Sequence, residues 1–270
     1  SGSDESIMQT GANFSSEDLF LRESRIHFTE RSIQSNQLYG KHMVTGLGDA
    51  TFEWDYSKTK SAQSEPDYVL FFDGLDLDDF EAVGGDFDAL DPSDWKFPTG
   101  FTNRRLYRDL EETGDEYGFD VELPNFFGDN DGSYLKFGYR NMKSDRSYAQ
   151  SSFGWDDGDH FFDYSGDRDH FLSSDNIDVD GNGETALVMS NLTDAFPEYS
   201  GVRDIAAFYA MVDSPFAEKW RFIGGLRHED TSIEVTSLSA RPQYIPDAVS
   251  NISESHLLPS ANFVYALREN

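Results

Sequence analysis

The run Asp178-Val-Asp180-Gly-Asn182-Gly183 sets carboxylate or amide oxygens at alternate positions, with a glycine where the chain must turn sharply. Hard oxygen donors at that spacing suit a hard cation and match the first half of a calcium loop. The glutamate that would complete the site, six residues after the glycine, is replaced by Met189. Asp178, Asp180 and Asn182 are therefore candidate calcium ligands on a loop whose plainer reading is an exposed Asp/Gly turn. A second group, His160, Asp163, Asp167, Asp169 and His170, has the donor types of a transition-metal site. Nothing fixes its spacing on one element, so it reads first as solvated loop. Trp155, Phe161, Phe162 and Tyr164 offer ring faces to a sugar or an aromatic chelator, or else pack the loop onto itself. There is no nucleophile elbow, phosphate loop or zinc-binding helix, and paired carboxylates arise by chance in so acidic a chain. Catalysis is not expected, nor any cofactor beyond that calcium ion.

The elements that must carry these loops are strands. The stretch 203–231 holds two aromatic-rich segments joined at Asp213-Ser-Pro-Phe-Ala-Glu-Lys219, where Asp and Ser start a turn and Pro is barred from a central strand. Period-two alternation across a short polar break predicts a hairpin. One face collects Ile205, Ala207, Tyr209 and Met211 with Trp220, Phe222, Gly224 and Leu226, and the other collects Arg221, Gly225, Arg227 and Glu229. Further strands are predicted over 25–39, 50–60 (Phe52, Trp54 and Tyr56 on one side), 117–123, 134–148 and 258–268. Residues 1–22 read as loop. Leu75, Leu77 and Phe80 mark a short helix that the Gly84-Gly85 pair must break.

Composition agrees. Hydrophobic residues make up only 37%, yet 23 Phe and 13 Tyr are present, which favours β structure. The formal charge of -30 argues against nucleic acid and anionic membrane surfaces as partners. With no cysteine there is neither disulfide framework nor thiolate metal site. No apolar run is long enough for a membrane helix, an absence that leaves barrel strands untouched.

Connections at 40–49, 124–133 and 213–219 are short, whereas those at about 61–104, 151–198 and 237–256 are long, the first two acidic and the third, shorter one carrying Pro242, Pro246 and Asp247. Strict alternation puts all short turns at one end of a meander and all long loops at the other. That is the topology of an outer-membrane barrel with short periplasmic turns and long extracellular loops. The fold expected is all-β: an antiparallel up-and-down transmembrane β-barrel, partial, of about seven strands of a larger barrel.

The residues also carry a family resemblance. IAAFYAMVD…KWRFIGGLRHEDT within 203–231 resembles the barrel signature of TonB-dependent outer-membrane receptors, and LLPSANFVYALREN at 257–270 resembles the strand that follows it there. FDVELPNFFGDNDGSYLKFGYR at 119–140 and FEWDYSKTKSAQSEPD at 52–67 are similar to the preceding segments, in the family's order. The resemblance implies that 1–270 is an internal fragment of such a barrel, without plug domain or closing strand. It implies residence in the cell outer membrane against a lipid bilayer and uptake of a scarce small nutrient (oligosaccharide, ferric siderophore or vitamin). It further implies drive from a TonB-type energy-coupling protein acting through the plug. The GGLRHEDT style leans towards oligosaccharide.

The rival is a secreted, acidic, calcium-stabilised β-sandwich serving in binding or adhesion. The receptor reading requires Phe52, Trp54, Tyr56, Phe119, Leu135, Phe137, Tyr209, Phe222 and Phe263 on one outward face. The rival requires them to meet a second sheet. Tyr209, Trp220 and Phe222 are also expected in an aromatic girdle by the 213–219 turn, with Arg227 and Glu229 paired on the polar side.

Overall fold

Ten strands form one sheet in this computed structural model, which describes residues 2–13, 19–96, 103–128, 132–156, 164, 166–173, 176–178 and 187–267. In chain order they are β1 (Gly2–Asn13), β2 (Leu19–Val44), β3 (Ala50–Asp76), β4 (Asn103–Pro124), β5 (Tyr134–Asp156), β6 (Ile177–Asp178), β7 (Leu187–Asn191), β8 (Glu198–Ala217), β9 (Trp220–Leu238) and β10 (Ala248–Tyr265). The order across the sheet is β1-β2-β3-β4-β5-β8-β9-β10, with β7 pairing β5 off this path and β6 pairing β7. Apart from the crossover around β6 and β7, each strand lies beside its sequence neighbour, the pattern of an up-and-down meander. β1 and β10 stand at the two ends of the order, so this is a partial, unclosed barrel wall. No second sheet is present among the described residues, and the condition for a sandwich is unmet.

Three expectations shift. The eighth strand of the main path is β1, read as loop because its sequence is small and polar; backbone pairing with β2, from Gly2↔Glu30 to Asn13↔Leu19, holds it there. The strands are also far longer than ten residues: β2 has 26 and β3 has 27. At ~3.3 Å per residue such strands outrun a bilayer core of ~30 Å, and their polar extensions carry no alternation that marks them as strand. The long connections accordingly shrink to 77–102, 157–197 and 239–247. Finally, the hairpin turn is only Glu218-Lys219, because β8 continues through Asp213 and Pro215 with one register irregularity between Pro215 and Ala217. Pro215 costs one ladder donor and Asp213 is a strand residue, not a turn residue.

The chain divides into two compact units. One comprises 1–31, 63–109 and 149–197. Its core is Phe71, Leu75, Trp95, Tyr164 and Phe171, with Phe80, Leu90 and Leu172 packed against it. The ring centroids of Tyr164 and Phe171 lie 5.1 Å apart, and those of Phe71 and Tyr164 5.8 Å apart. Helix α1 (Leu77–Ala82) ends ahead of Gly84 and Gly85, whose φ angles of 74° and 80° suit a residue without Cβ. A two-way backbone bridge between Gly74 and Lys96 returns this loop to β3.

The other unit comprises 32–62, 110–148 and 198–270, and its strands have two unlike faces. Rings line one: Phe52–Phe119 at 6.2 Å, Phe119–Tyr139 at 6.1 Å, Tyr139–Phe208 at 4.6 Å and Phe222–Phe263 at 5.1 Å between centroids. Many of these side chains are exposed, Phe208 at 60% and Phe263 at 62%, so they face outward with no described residue of this chain covering them. The outward set required of a barrel is thus present with one exception. Tyr209 pairs with Arg227 across β8 and β9, on the opposite face, and Phe208 takes the outward place. Ile205, Ala207, Tyr209 and Met211 do not share the face of the Trp220–Phe222 stripe, because the register pairs them with Thr231, Glu229, Arg227 and Gly225.

Candidate functional site

The second face is built from charges that neutralise one another. Arg140 on β5 reaches Glu116 on β4 at 2.9 Å and Asp55 on β3 at 3.1 Å. Lys41 on β2 meets Glu53 at 2.6 Å. Tyr209 donates its hydroxyl to Asp120, which Lys136 approaches at 3.9 Å. Asp213, buried, takes a fork from Arg221, whose Nη2 lies 2.8 Å from Oδ2. Arg227 and Glu229 pair at 2.7 Å on the polar side, as their spacing suggests. Strand alternation explains the segregation: residues two apart share a face, and cross-strand partners set opposite charges side by side.

The ring-bearing face has an edge. On β3 and β4 it passes into Tyr56, which donates to Asp115 at 2.6 Å, with Lys58 3.7 Å from the same carboxylate. On β5 and β8 it passes into Asn141, which donates to Asp204 at 2.8 Å. At the opposite end Phe216, Trp220, Phe263 and Tyr265 gather around the hairpin turn, Trp220 and Tyr265 at 4.8 Å and Phe216 and Trp220 at 6.3 Å. Trp220 and Phe222 stand in the expected girdle position, Phe216 and Tyr265 join them, and Tyr209 does not.

A concavity of about 250 Å³ opens on the polar face just beyond that edge. Glu112 of β4, Ser144 and Arg146 of β5, Tyr199 and Arg203 of β8, and Ile233 of β9 line it. Tyr199 stacks on Tyr148 at 5.3 Å with 25° between ring planes. Glu112 holds Arg146 at 2.5 Å. Arg203 instead touches the sulfur of Met142 at 3.8 Å and forms no salt bridge among the described residues. Sequence reading passed over these positions because no local motif joins them; only the register brings three strands' polar residues together.

A buried polar cluster lies in the first unit. Arg22 donates Nε to Asp73 Oδ1 at 2.8 Å and Nη2 to Oδ2, and Tyr164 donates its hydroxyl to Oδ2 at 2.8 Å. The guanidinium carbon sits 3.9 Å over the Trp95 ring, a cation–π contact. Burial, and then the Asp73 carboxylate, push the Tyr164 hydroxyl well above the usual phenol range. Further along β3, buried Glu65 accepts from Gln63 of the same strand at 2.9 Å and from Arg108 of β4 at 3.2 Å. The Glu65 group joins strand to strand, whereas the Tyr164–Asp73 contact joins loop to strand.

The sequence-derived site residues fare differently. Asp180 and Asn182 lie outside the described residues, and of Asp178 only the backbone, at the end of β6, is described. His160, Asp163, Phe161 and Phe162 also lie outside them. Asp167 spends its carboxylate on the N-terminus of α2 (Arg168–Phe171), accepting from the amides of Asp169 and His170. Trp155 and Tyr164 are buried, each 7% exposed, Tyr164 in the core of the first unit and Trp155 near the end of β5. No helix among the described residues is long and apolar enough to cross a membrane, which says nothing of strands.

Comparison with known proteins agrees with this geometry. Residues 25–270 match the family described as TonB dependent receptor-like, beta-barrel. A solved structure, the siderophore receptor PiuA from Acinetobacter baumannii, aligns over 99% of this chain and 46% of its own, at 10% identity and a TM-score of 0.32. The chain therefore spans under half the length of that receptor, a likeness too remote to bear on ligand. No curated protein matches.

Proposed function

The chain belongs to the TonB-dependent receptor family, in its β-barrel region, and on that premise we propose that it forms part of the wall of an outer-membrane transporter. Such a transporter takes up a scarce nutrient by TonB-coupled active transport. The observation that carries the reading is the two-faced ladder: exposed rings on one side, and on the other carboxylates and guanidiniums paired across strands. A strand that meets lipid on one face and a wet interior on the other needs that division. Exposed rings at this density on a water-facing sheet would be an association hazard. The energy-coupling protein and the small ligand come with the family premise, and the ligand is an oligosaccharide, a ferric siderophore or a vitamin.

The test is uptake. Cells lacking the receptor should fail to accumulate one of the three labelled ligand classes, and collapse of the proton gradient should abolish accumulation in cells that retain it. A receptor recovered in the soluble fraction, or uptake indifferent to the gradient, would overturn the reading. Calcium at Asp178, Asp180 and Asn182 is part of the same proposal, as a loop-ordering ion. Chelation should then speed proteolysis within 157–197 and leave the rest of the chain untouched. Equal rates with and without chelator would remove the ion from the account.

A further inference from the structure

We infer that the concavity beyond the edge of the ring-bearing face is a subsite for an acidic sugar, with Arg203 receiving its carboxylate. The inference rests on the uptake reading and specifies its ligand class.

Among the arginines of the second unit's strands, Arg140, Arg146, Arg221 and Arg227 each hold a carboxylate, and Arg203 does not. In a chain of net charge -30 an unclaimed guanidinium is conspicuous, because acidic side chains outnumber basic ones by 51 to 21. A planar fork with free donors is suited to a carboxylate, which it can take in bidentate fashion.

The surroundings favour a sugar over an aromatic acid. Glu112, though paired with Arg146, keeps acceptor capacity towards the concavity, and Ser144 adds a hydroxyl. A carboxylate beside an anionic ligand is tolerable when the ligand brings hydroxyl donors to it. A sugar acid does so, and a simple aromatic acid does not. The Tyr199 ring, fixed by stacking on Tyr148, and the Ile233 side chain give the apolar surface that the C–H face of a pyranose packs against. The concavity, about 250 Å³, falls just under the ~300–1,000 Å³ typical of drug-sized ligands, so it suits one ring of a longer chain. Its place on the polar face, level with the Asp204–Asn141 contact where the apolar band has ended, puts it outside the lipid layer of the proposed barrel.

The experiment is calorimetric titration of the detergent-purified receptor with galacturonate and, separately, with its neutral counterpart galactose. Galacturonate should bind at least tenfold more tightly, and the preference should shrink as salt rises. Arg203→Gln should abolish the preference, while Arg203→Lys keeps part of it. Arg203 is exposed, so neither variant threatens the fold, and retained heat-modifiable gel migration verifies that. Equal binding of the two sugars, or a preference that survives Arg203→Gln, overturns the proposal, as does Arg203-dependent binding of benzoate without galacturonate. Binding in detergent needs no energy source, so failure here leaves the uptake reading intact. Binding without gradient-driven accumulation would sink that reading instead.

Discussion

Asp73 shows how one residue can hold a loop. It is 1% exposed and takes three donor contacts, two from Arg22 and one from Tyr164. Removing one partner of a buried pair costs roughly 3–5 kcal/mol. Because the Arg22 side chain keeps 21% exposure, Asp73→Ala should fall at the low end, about 3 kcal/mol. Tyr164→Phe loses one hydrogen bond, worth about 1 kcal/mol. Denaturant unfolding followed by Trp95 fluorescence would rank the two; equal losses would mean that Asp73 is not the shared acceptor. The same cluster sets a pH limit. A phenol whose ionisation is raised in the folded state stabilises fully below its unfolded value of ~10 and loses that contribution as pH climbs beyond it. Proteolysis of the loop carrying Tyr164 should therefore quicken progressively as pH rises above about 10 in the wild type, and that rise should vanish in Tyr164→Phe.

At the scale of elements, strands were legible where one face is ringed and the other charged. Phe52, Phe119, Phe137, Phe222 and Phe263 announce themselves by period-two alternation, and the short helix by the glycines that stop it. What escaped was register. Tyr209 reads as one more outward ring until Asp120 is seen accepting its hydroxyl and Gly138 is seen lying opposite. A Cβ at Gly138 would stand 2.8 Å from Tyr209 Cε1 and 2.5 Å from the Phe119 carbonyl oxygen. Gly138→Ala should thus cost about 1–3 kcal/mol by overpacking, visible as slower assembly of the heat-resistant form. β1 and the strand extensions escaped for another reason: backbone pairing builds them, and polar side chains carry no period to read. Of the calcium candidates, Asp180 and Asn182 lie outside the described residues. The hairpin supplies a direct test of the two faces. Leu226, 54% exposed among the rings, should resist arginine by about 2–4 kcal/mol, measured as folding into lipid vesicles. Thr231→Arg, on the polar face, should cost far less. Gly225, also polar-facing, would be a poor control, because its Cβ would meet Ala210 and Met211.

Over the whole molecule, the question is whether the paired charges or the surplus govern stability. The pairs are numerous, but most are at least partly exposed, such as Lys41–Glu53 and Lys60–Glu111. Exposed pairs contribute about 0–1 kcal/mol each and weaken as salt rises. The surplus acts the other way. With 51 acidic and 21 basic side chains, 30 carboxylates remain after every cation is matched, and their mutual repulsion opposes the compact state. Moving from 0.01 M to 1 M salt shortens the screening length from ~30 Å to ~3 Å. Contact pairs survive much of that change, while repulsion across roughly 10–20 Å does not. Screening therefore removes more repulsion than attraction, and the thermal midpoint of the purified receptor should rise with sodium chloride. Sodium chloride is the right probe, because sulfate would add its own effect by strengthening apolar burial. A midpoint that falls with salt would mean that the cross-strand ladder of Arg140, Glu116 and Asp55 and its neighbours outweighs the surplus. The acidic loops would then be spaced widely enough to be electrostatically silent.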